Sequence, residues 1–307
     1  MTDVLAVDVG GTTIKGARFA DDGVLLAERV VPTPVAGGPD AIVAEMRAVA
    51  SGLMTDGVRA CGVVVPGAID AGRGIALHSV NLGWRDLAVR ELIAAEVGVP
   101  TVFGHDVRSA AFAERELGAS HGVADSIVIT IGTGVAAVAV AEGRPLLGAT
   151  TLAGELGHLS VVPGGEICPC GQRGCLERYA SAAAISRHYQ RRTGEVVDAR
   201  VVASRIEHDA DAAATWQQAT DTMATALCAC TALLDPSVFV LAGGLAESGD
   251  ALAEPIRCRL TQLIRFRPVP PVVISPLGGS AGRIGAALLA WDAIGGADLG
   301  AWRRRTR

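Results

Sequence analysis

Two stretches of the chain repeat one pattern, and that repetition limits the fold more than any other feature. VLAVDVGGTTIKGARFADDGVLLAERVV, from Val4, alternates as three strands joined by glycine-bearing turns at Gly10-Gly11 and Asp22-Gly23. SIVITIGTGVAAVAVAEGRPLLGA, from Ser126, again reads strand, glycine turn, strand, turn, strand. After the first come a helical DAIVAEMRAVASGLM, a buried strand CGVVV ending at Pro66-Gly67, a helix LAVRELIAAEVGV, the strand TVFGHD and a helix VRSAAFAERELG. After the second come a cysteine-rich loop, a helical stretch from about Ser181 to Leu234, the strand VFVLA, a helix, the strand PVVISP and a last helix IGAALLAWDAI. Two halves that open on a glycine-turned meander and continue into helices indicate an internal duplication. The boundary falls near Gly118–Asp125, giving domains 1–118 and 119–283, the latter carrying the loop 158–175. The last helix, about 284–307, is a candidate to pack back on the first half.

Composition agrees with an α/β chain. Of 307 residues, 50% are hydrophobic but only 4% aromatic, so the core is built from Ala, Val, Leu and Ile, as suits strands buried on both faces. The formal net charge of -5 argues against nucleic acid as a partner. The N-terminus has no basic, cleavable apolar segment, and the longest apolar run, Ser126–Ala141, is broken by Gly132-Thr133-Gly134, so no membrane association is expected. The basic tail RRRTR reads as a solvated, frayed terminus. Seven cysteines, an odd number, suit a reduced, cytoplasmic protein. Cys228 and Cys230 read as small core residues of a helix, and Cys61 and Cys258 as isolated buried thiols.

Three strand-to-glycine junctions carry chemistry. In DVGGTTIKG the adjacent Gly10 and Gly11 expose backbone N–H groups that form an anion-binding concavity, Thr12 and Thr13 add hydroxyls, and Asp8 is placed to hold Mg2+ beside phosphates. A plain type I′ hairpin is the competing reading and is nearly as strong. Lys15, the only lysine, lies within this stretch. TIGTGVAA matches a Gly-x-Gly-x-x-Ala dinucleotide fingerprint, but its continuation alternates like a strand where that motif needs a helix. Gly132, Thr133 and Gly134 therefore read as a second phosphate hairpin. Gly243 and Gly244 form a third junction, leading into a helix.

Asp106 stands where a strand passes into a helix. On local pattern it reads first as an N-cap, a role compatible with a carboxylate able to accept the proton of a hydroxyl attacking phosphorus. The spacing His158-x9-Cys168-x-Cys170-x4-Cys175 supplies three thiolates and an imidazole, a closed tetrahedral set for structural Zn2+. Glu155 and Glu177 flank this set, where a rigid loop would present them to the hydroxyls of a sugar-like ligand.

In this order, DVGGTTIKG, HD at a strand end, TIGTG, GELGH and CPCGQRGCLERYAS closely resemble the ROK family (repressors, open reading frames and kinases) of the actin-like ATPase superfamily, over essentially the whole chain. The resemblance implies a two-domain, ribonuclease H-like fold, each domain a mixed five-stranded sheet flanked by helices, with ATP and sugar in the cleft between them. It implies a Mg-ATP-dependent, glucokinase-like sugar kinase that is usually dimeric. Carried over, Asp106 is the general base. Asp8, Gly10, Gly11, Thr12 and Thr13 match the first phosphate motif, Gly132, Thr133 and Gly134 the second, and Gly243 and Gly244 the adenosine side. Glu155, His158 and Glu177 match sugar-contacting positions, with His158 also a zinc ligand, and Pro66, Gly67 and Asn81 line the rest of the pocket.

The chain departs from the family pattern at His105-Asp106-Val107-Arg108, where members typically read Asn-Asp-Ala-Asn. An imidazole offers its donor and acceptor in a geometry different from a carboxamide's, and Arg108 adds a charge that would meet a phosphate or pair with Glu114 or Glu116. The acceptor is thus open among a hexose, an amino or N-acetylated sugar and a cyclitol. Polyphosphate remains an alternative donor, and a non-catalytic sugar sensor an alternative role. A repressor of the same family is disfavoured, because Asp8 leaves no room for a preceding DNA-binding domain.

Overall fold

A computed structural model describes residues 2–305. The chain forms two compact units, one running to Gly118 and resuming at Ser280, the other Ala119–Gly279. The first begins with β1 (Asp3–Val9), β2 (Thr13–Ala20) and β3 (Leu25–Pro32), followed by α1 (Gly38–Ser51) and β4 (Val58–Val65). A small antiparallel sheet of β5 (Ala68–Asp70), β6 (Ile75–Ser79) and β7 (Trp84–Leu87) intervenes, which the sequence pattern did not reveal. Then come α2 (Val89–Val97), β8 (Thr101–His105) and α3 (Asp106–Leu117). The main sheet has the order β3-β2-β1-β4-β8, with β1, β4 and β8 parallel and the meander antiparallel.

The second unit repeats this plan. It contains β9 (Ser126–Ile131), β10 (Val135–Ala141), β11 (Arg144–Pro145), α4 (Glu177–Ala180), α5 (Ala182–Thr193), α6 (Ala199–Arg205), α7 (Ala210–Leu234), β12 (Val238–Ala242), α8 (Asp250–Leu263) and β13 (Val272–Ile274). Its sheet order is β11-β10-β9-β12-β13, with β9, β12 and β13 parallel. The continuous helical stretch expected over 181–234 is divided by local signals. Ser181 Oγ accepts the Ala184 N–H at 3.1 Å, Gly194 ends α5 at φ 81°, and Asp198 and Asp209 cap α6 and α7. The core here joins Ile127, Ile129, Trp216, Met223, Phe239 and Leu241. Cys228 and Cys230 lie at its margin, only partly buried, and Cys258 is exposed rather than a buried thiol. The reason is helical phase. Leu252, Ile256 and Leu260 form the buried face of α8, and Cys258 is two residues from Ile256, on the opposite side.

The chain then returns to the first unit as α9 (Ala281–Asp292) and α10 (Leu299–Arg305). Helix α9 lies close against α3, β1 and β4 because its sequence AGRIGAALLA supplies small side chains. A Cβ on Gly62 of β4 would collide with the Ala286 carbonyl, and one on Gly285 with the Ser109 carbonyl. Gly62→Ala is expected to cost about 3 kcal/mol in urea unfolding, because backbone rather than a flexible side chain must yield. Unchanged stability would mean that α9 shifts freely. Trp302 of α10 is buried and donates Nε1–H to the Asp21 carbonyl at 2.9 Å. Arg303 donates to the Glu116 carbonyl at 2.8 Å, and Arg305 pairs with Asp22 at 2.5 Å. Arg303 and Arg305 are therefore docked rather than frayed; Thr306 and Arg307 lie outside the described residues. No helix among the described residues is long and apolar enough to cross a membrane.

Candidate active site

Parallel strands end on one edge of a sheet, and in the first unit three of them end in residues singled out above. Strand β1 delivers Asp8, Gly10 and Gly11, β4 delivers Pro66 and Gly67, and β8 ends at His105, directly before Asp106. Such an edge, beyond the carboxyl ends of the strands, is the usual ligand position in open α/β sheets.

The first glycine turn is not a type I′ hairpin, because neither Gly10 nor Gly11 has positive φ. It closes by the Gly10 N–H donating to the Thr13 carbonyl at 2.8 Å, and Thr33 Oγ1 donates to the Gly10 carbonyl at 2.7 Å. A Cβ on Gly11 would meet only Asn81 Cβ, at an ordinary 3.7 Å. The fold alone thus gives no reason for glycine at position 11, and a ligand approaching the backbone does. Asn81 is exposed and lies beside this turn. Gly67 has a structural reason instead, with φ of 100° and the His78 carbonyl against it.

Lys15 is the cross-strand partner of Asp8 in the β1–β2 ladder, so both side chains share one face of the sheet. Burial, reinforced by the negative charge of Asp106, pushes Asp8 up to about 6, while Lys15 and then Arg283 oppose the shift. The single lysine therefore sits where it offsets a buried carboxylate. Gly282 leaves room for this carboxylate, since a Cβ there would lie 2.5 Å from Asp8 Oδ2. Arg283 had no local sequence signal. It also pairs with Glu28 and donates to Ser280 Oγ at 3.0 Å.

A carboxyl with a raised folded pKa holds its proton more tightly in the folded state. Stability contributed by that proton is gained as pH falls from about 6 toward the ordinary 3.8, and above about 6 the ionised group is a cost. Asp8→Asn should therefore stabilise the ligand-free protein by about 2 kcal/mol at pH 8, with the gain shrinking toward pH 4. Urea unfolding at the two pH values measures this, and equal gains would show that the carboxylate is not strained.

Asp106 is the first residue of α3, and the cap position belongs to His105, so the N-cap expectation is off by one residue. Asp106 Oδ1 accepts the Val107 N–H at 2.7 Å and lies 3.2 Å from His105 Nδ1. Both side chains keep some exposure, 25% for Asp106 and 12% for His105. Glu116 is engaged by Arg115 and Arg303.

In the second unit, β9 ends in the turn Gly132–Gly134 and β12 in Gly243-Gly244. Gly132 has neither positive φ nor any neighbour within 4 Å of an added Cβ. Gly243, at φ 85°, lies against the backbone of Ile131, which brings these two junctions together. A short 3-10 turn, Gly244–Ser248, follows instead of the expected helix, and α8 begins at Asp250. Arg200 lies by Gly244 and pairs with Glu247 at 2.9 Å.

His158, Cys168, Cys170 and Cys175 converge, their ligand atoms all within 4.8 Å of one another. Cys168 Sγ is 3.7 Å from His158 Nδ1, and Cys170 Sγ is 3.7 Å from Cys175 Sγ. Zinc–sulfur bonds of about 2.3 Å in a tetrahedron put the sulfurs about 3.8 Å apart, so the donors fit Zn2+. Burial pushes the Cys175 thiol up to about 12, so a cation is what would favour its thiolate. With His158 Nδ1 turned to the sulfurs, Nε2 faces Glu155, 3.9 Å from Oε2.

The loop is strapped by Glu166, a residue with no recognisable motif. Its carboxylate meets Arg178 at 3.1 Å, Arg187 and His188 at 3.4 Å, and Arg191. Its N–H donates to Tyr179 Oη at 2.8 Å. Burial is the largest single influence and pushes the Glu166 carboxyl up, but Arg191, His188 and Arg187 together outweigh it and hold the carboxyl below its ordinary value. Glu177 opens α4, and its Oε2 accepts the Val135 N–H at 3.0 Å, tying it to the glycine turn.

Residues 4–293 match the family model of the ROK family. A glucokinase of Streptomyces coelicolor is 30% identical over 308 residues, covering 93% of this chain and 96% of that protein. An N-acetylmannosamine kinase of Citrobacter koseri is 37% identical over 183 residues, 59% of this chain and 62% of that protein. Among solved structures, a ROK family glucokinase from Streptomyces griseus in complex with glucose and AMPPNP matches with a TM-score of 0.86 and 30% identity, over 94% of this chain and 99% of that one.

Proposed function

The chain belongs to the ROK family, and from that premise we propose that it is an ATP-dependent kinase acting on a hydroxyl of a hexose or hexose-like polyol. The observation that carries the reading is the shared sheet edge where β1, β4 and β8 present Asp8, Pro66-Gly67 and His105-Asp106.

In this reading Asp106 accepts the proton of the acceptor hydroxyl as its oxygen bonds to the γ-phosphorus and ADP leaves. The Val107 N–H holds one oxygen of that carboxylate and fixes its direction. With the Gly10 and Gly132 N–H groups closing their turns, the backbone N–H groups of Gly11–Thr13 and Thr133-Gly134 bind phosphate oxygens, Lys15 adds a positive charge, and Gly243-Gly244 let the adenosine lie close to the chain. Mg2+, when bound, neutralises phosphate charge, and Asp8 would hold it directly or through water. Glu155, His158 and Glu177 orient the sugar hydroxyls. Cys168, Cys170, Cys175 and His158 would together hold Zn2+ as a structural ion, whose task would be to fix that loop.

Relatives that act on glucose and on N-acetylmannosamine, together with the imidazole of His105 beside the base, make an N-acetylated or amino sugar the second acceptor reading. A cyclitol is a further candidate on the His105 argument alone. Formation of the phosphorylated product, measured over hexoses, N-acetylhexosamines and cyclitols with ATP and with polyphosphate as donor, tests the proposal. A polyol-dependent signal is expected, and a flat response across the whole set would sink it. We further propose that the enzyme is a homodimer.

A further inference from the structure

The Gly132–Gly134 turn is framed by the segment that leaves the cysteine–histidine cluster. Glu177 Oε2 takes the Val135 N–H at 3.0 Å, and the Ala182 N–H donates to the Gly132 carbonyl at 2.9 Å. A Cβ on Gly134 would lie 2.5 Å from that same carboxylate oxygen. Gly157, next to His158, has the Val135 carbonyl against it and leaves no room for a side chain. Glu177 is itself fixed by the cluster. The carbonyl of Cys175, two residues before it, accepts the Arg178 N–H at 3.0 Å, and the Leu176 N–H donates to the Leu159 carbonyl at 2.9 Å. Within the turn the Gly132 N–H donates to the Gly134 carbonyl at 2.9 Å, while nothing surrounds the open side of Gly132.

We propose that Glu177 is a positioning residue for the phosphoryl donor, through which the cysteine–histidine cluster sets the Gly132–Val135 turn in its phosphate-binding shape. This rests on the reading of that turn as a donor-phosphate site. A carboxylate devoted to sugar hydroxyls alone would have no need of a backbone amide in the turn. An anionic acceptor makes the stronger kind of hydrogen bond to an N–H, which suits a loop of flexible glycines that must hold one conformation. The loop cluster then acts on both substrates, through His158, Glu155 and Glu177 on the acceptor and through the Glu177–Val135 bond on the donor.

Titration calorimetry with ATP, without sugar, tests this in two variants. Glu177→Ala is expected to weaken ATP binding about ten-fold, whereas Glu177→Gln, whose amide oxygen still accepts the Val135 N–H, stays within about three-fold of wild type. ATP binding unchanged in both variants, with only sugar affinity lost, overturns the proposal; so does an equal loss in both, which would mean charge rather than the hydrogen bond. Amide exchange at Val135 covers the case in which the alanine variant fails to fold. Slow exchange in wild type that quickens several-fold in Glu177→Gln supports the proposal, and exchange at the unstructured rate in wild type overturns it. That measurement needs no ligand, so it is separate from the kinase reading, which fails if the wild-type protein binds no ATP.

Discussion

Asp106→Ala is expected to lower sugar-dependent ADP release about a thousand-fold, the range of a lost general base. ATP affinity should stay within a few-fold of wild type, since Asp106 is proposed to contact the acceptor rather than the donor. The folded state should tolerate the change well. Asp106 keeps 25% of its side chain exposed, and it accepts the N–H of Val107, its immediate neighbour in the chain. Removing it also relieves Asp8 of a neighbouring negative charge, one of the causes that push Asp8 up. A variant that kept more than a tenth of wild-type turnover would remove Asp106 from the mechanism and leave the sheet edge without its base.

Cys170→Ser should empty the metal site and destabilise the second unit by about 3 kcal/mol, lowering its melting temperature by about 10 °C. Cys170 suits this test because it is exposed, whereas Cys168 and Cys175 are buried. A serine at 170 therefore changes ligation without opening a cavity in the core. Metal analysis of the wild type should find one zinc per chain, and the variant none. Wild-type protein free of metal, or a variant of equal stability, would leave the four side chains as a thiol cluster without a metal.

The features legible in sequence were those that local chemistry encodes. Period-two alternation broken by glycines located both meanders, and the spacing of Cys168, Cys170 and Cys175 pointed to the metal set. A carboxylate placed between an apolar strand and an amphipathic helix marked Asp106. The exposure of Cys258 was also readable, from the phase of Leu252, Ile256 and Leu260, but an apolar assignment for every isolated cysteine overrode it. What stayed hidden depends on pairs far apart in the chain. Arg283 acts on Asp8 from a returning helix, and Glu177 reaches Val135 across 42 positions. The Glu166 strap draws its arginines from two helices that no pattern connects to the loop. Lys15 lay between, since its oddity was visible in composition but its purpose only in the β1–β2 register.

The return of α9 to the first unit has a consequence for how the protein is made. The second unit is a continuous segment, Ala119–Gly279, whose residues are all synthesised before Ala281. The first unit begins synthesis earlier yet stays incomplete, because the face of β1 and β4 that receives α9 has no cover until the last part of the chain emerges. The first unit is thus discontinuous in sequence, and its sheet is covered only by residues that follow the whole of the second unit. A chain cut before Ala281 therefore carries Asp8 and Asp106 on a sheet whose α9-facing side is uncovered.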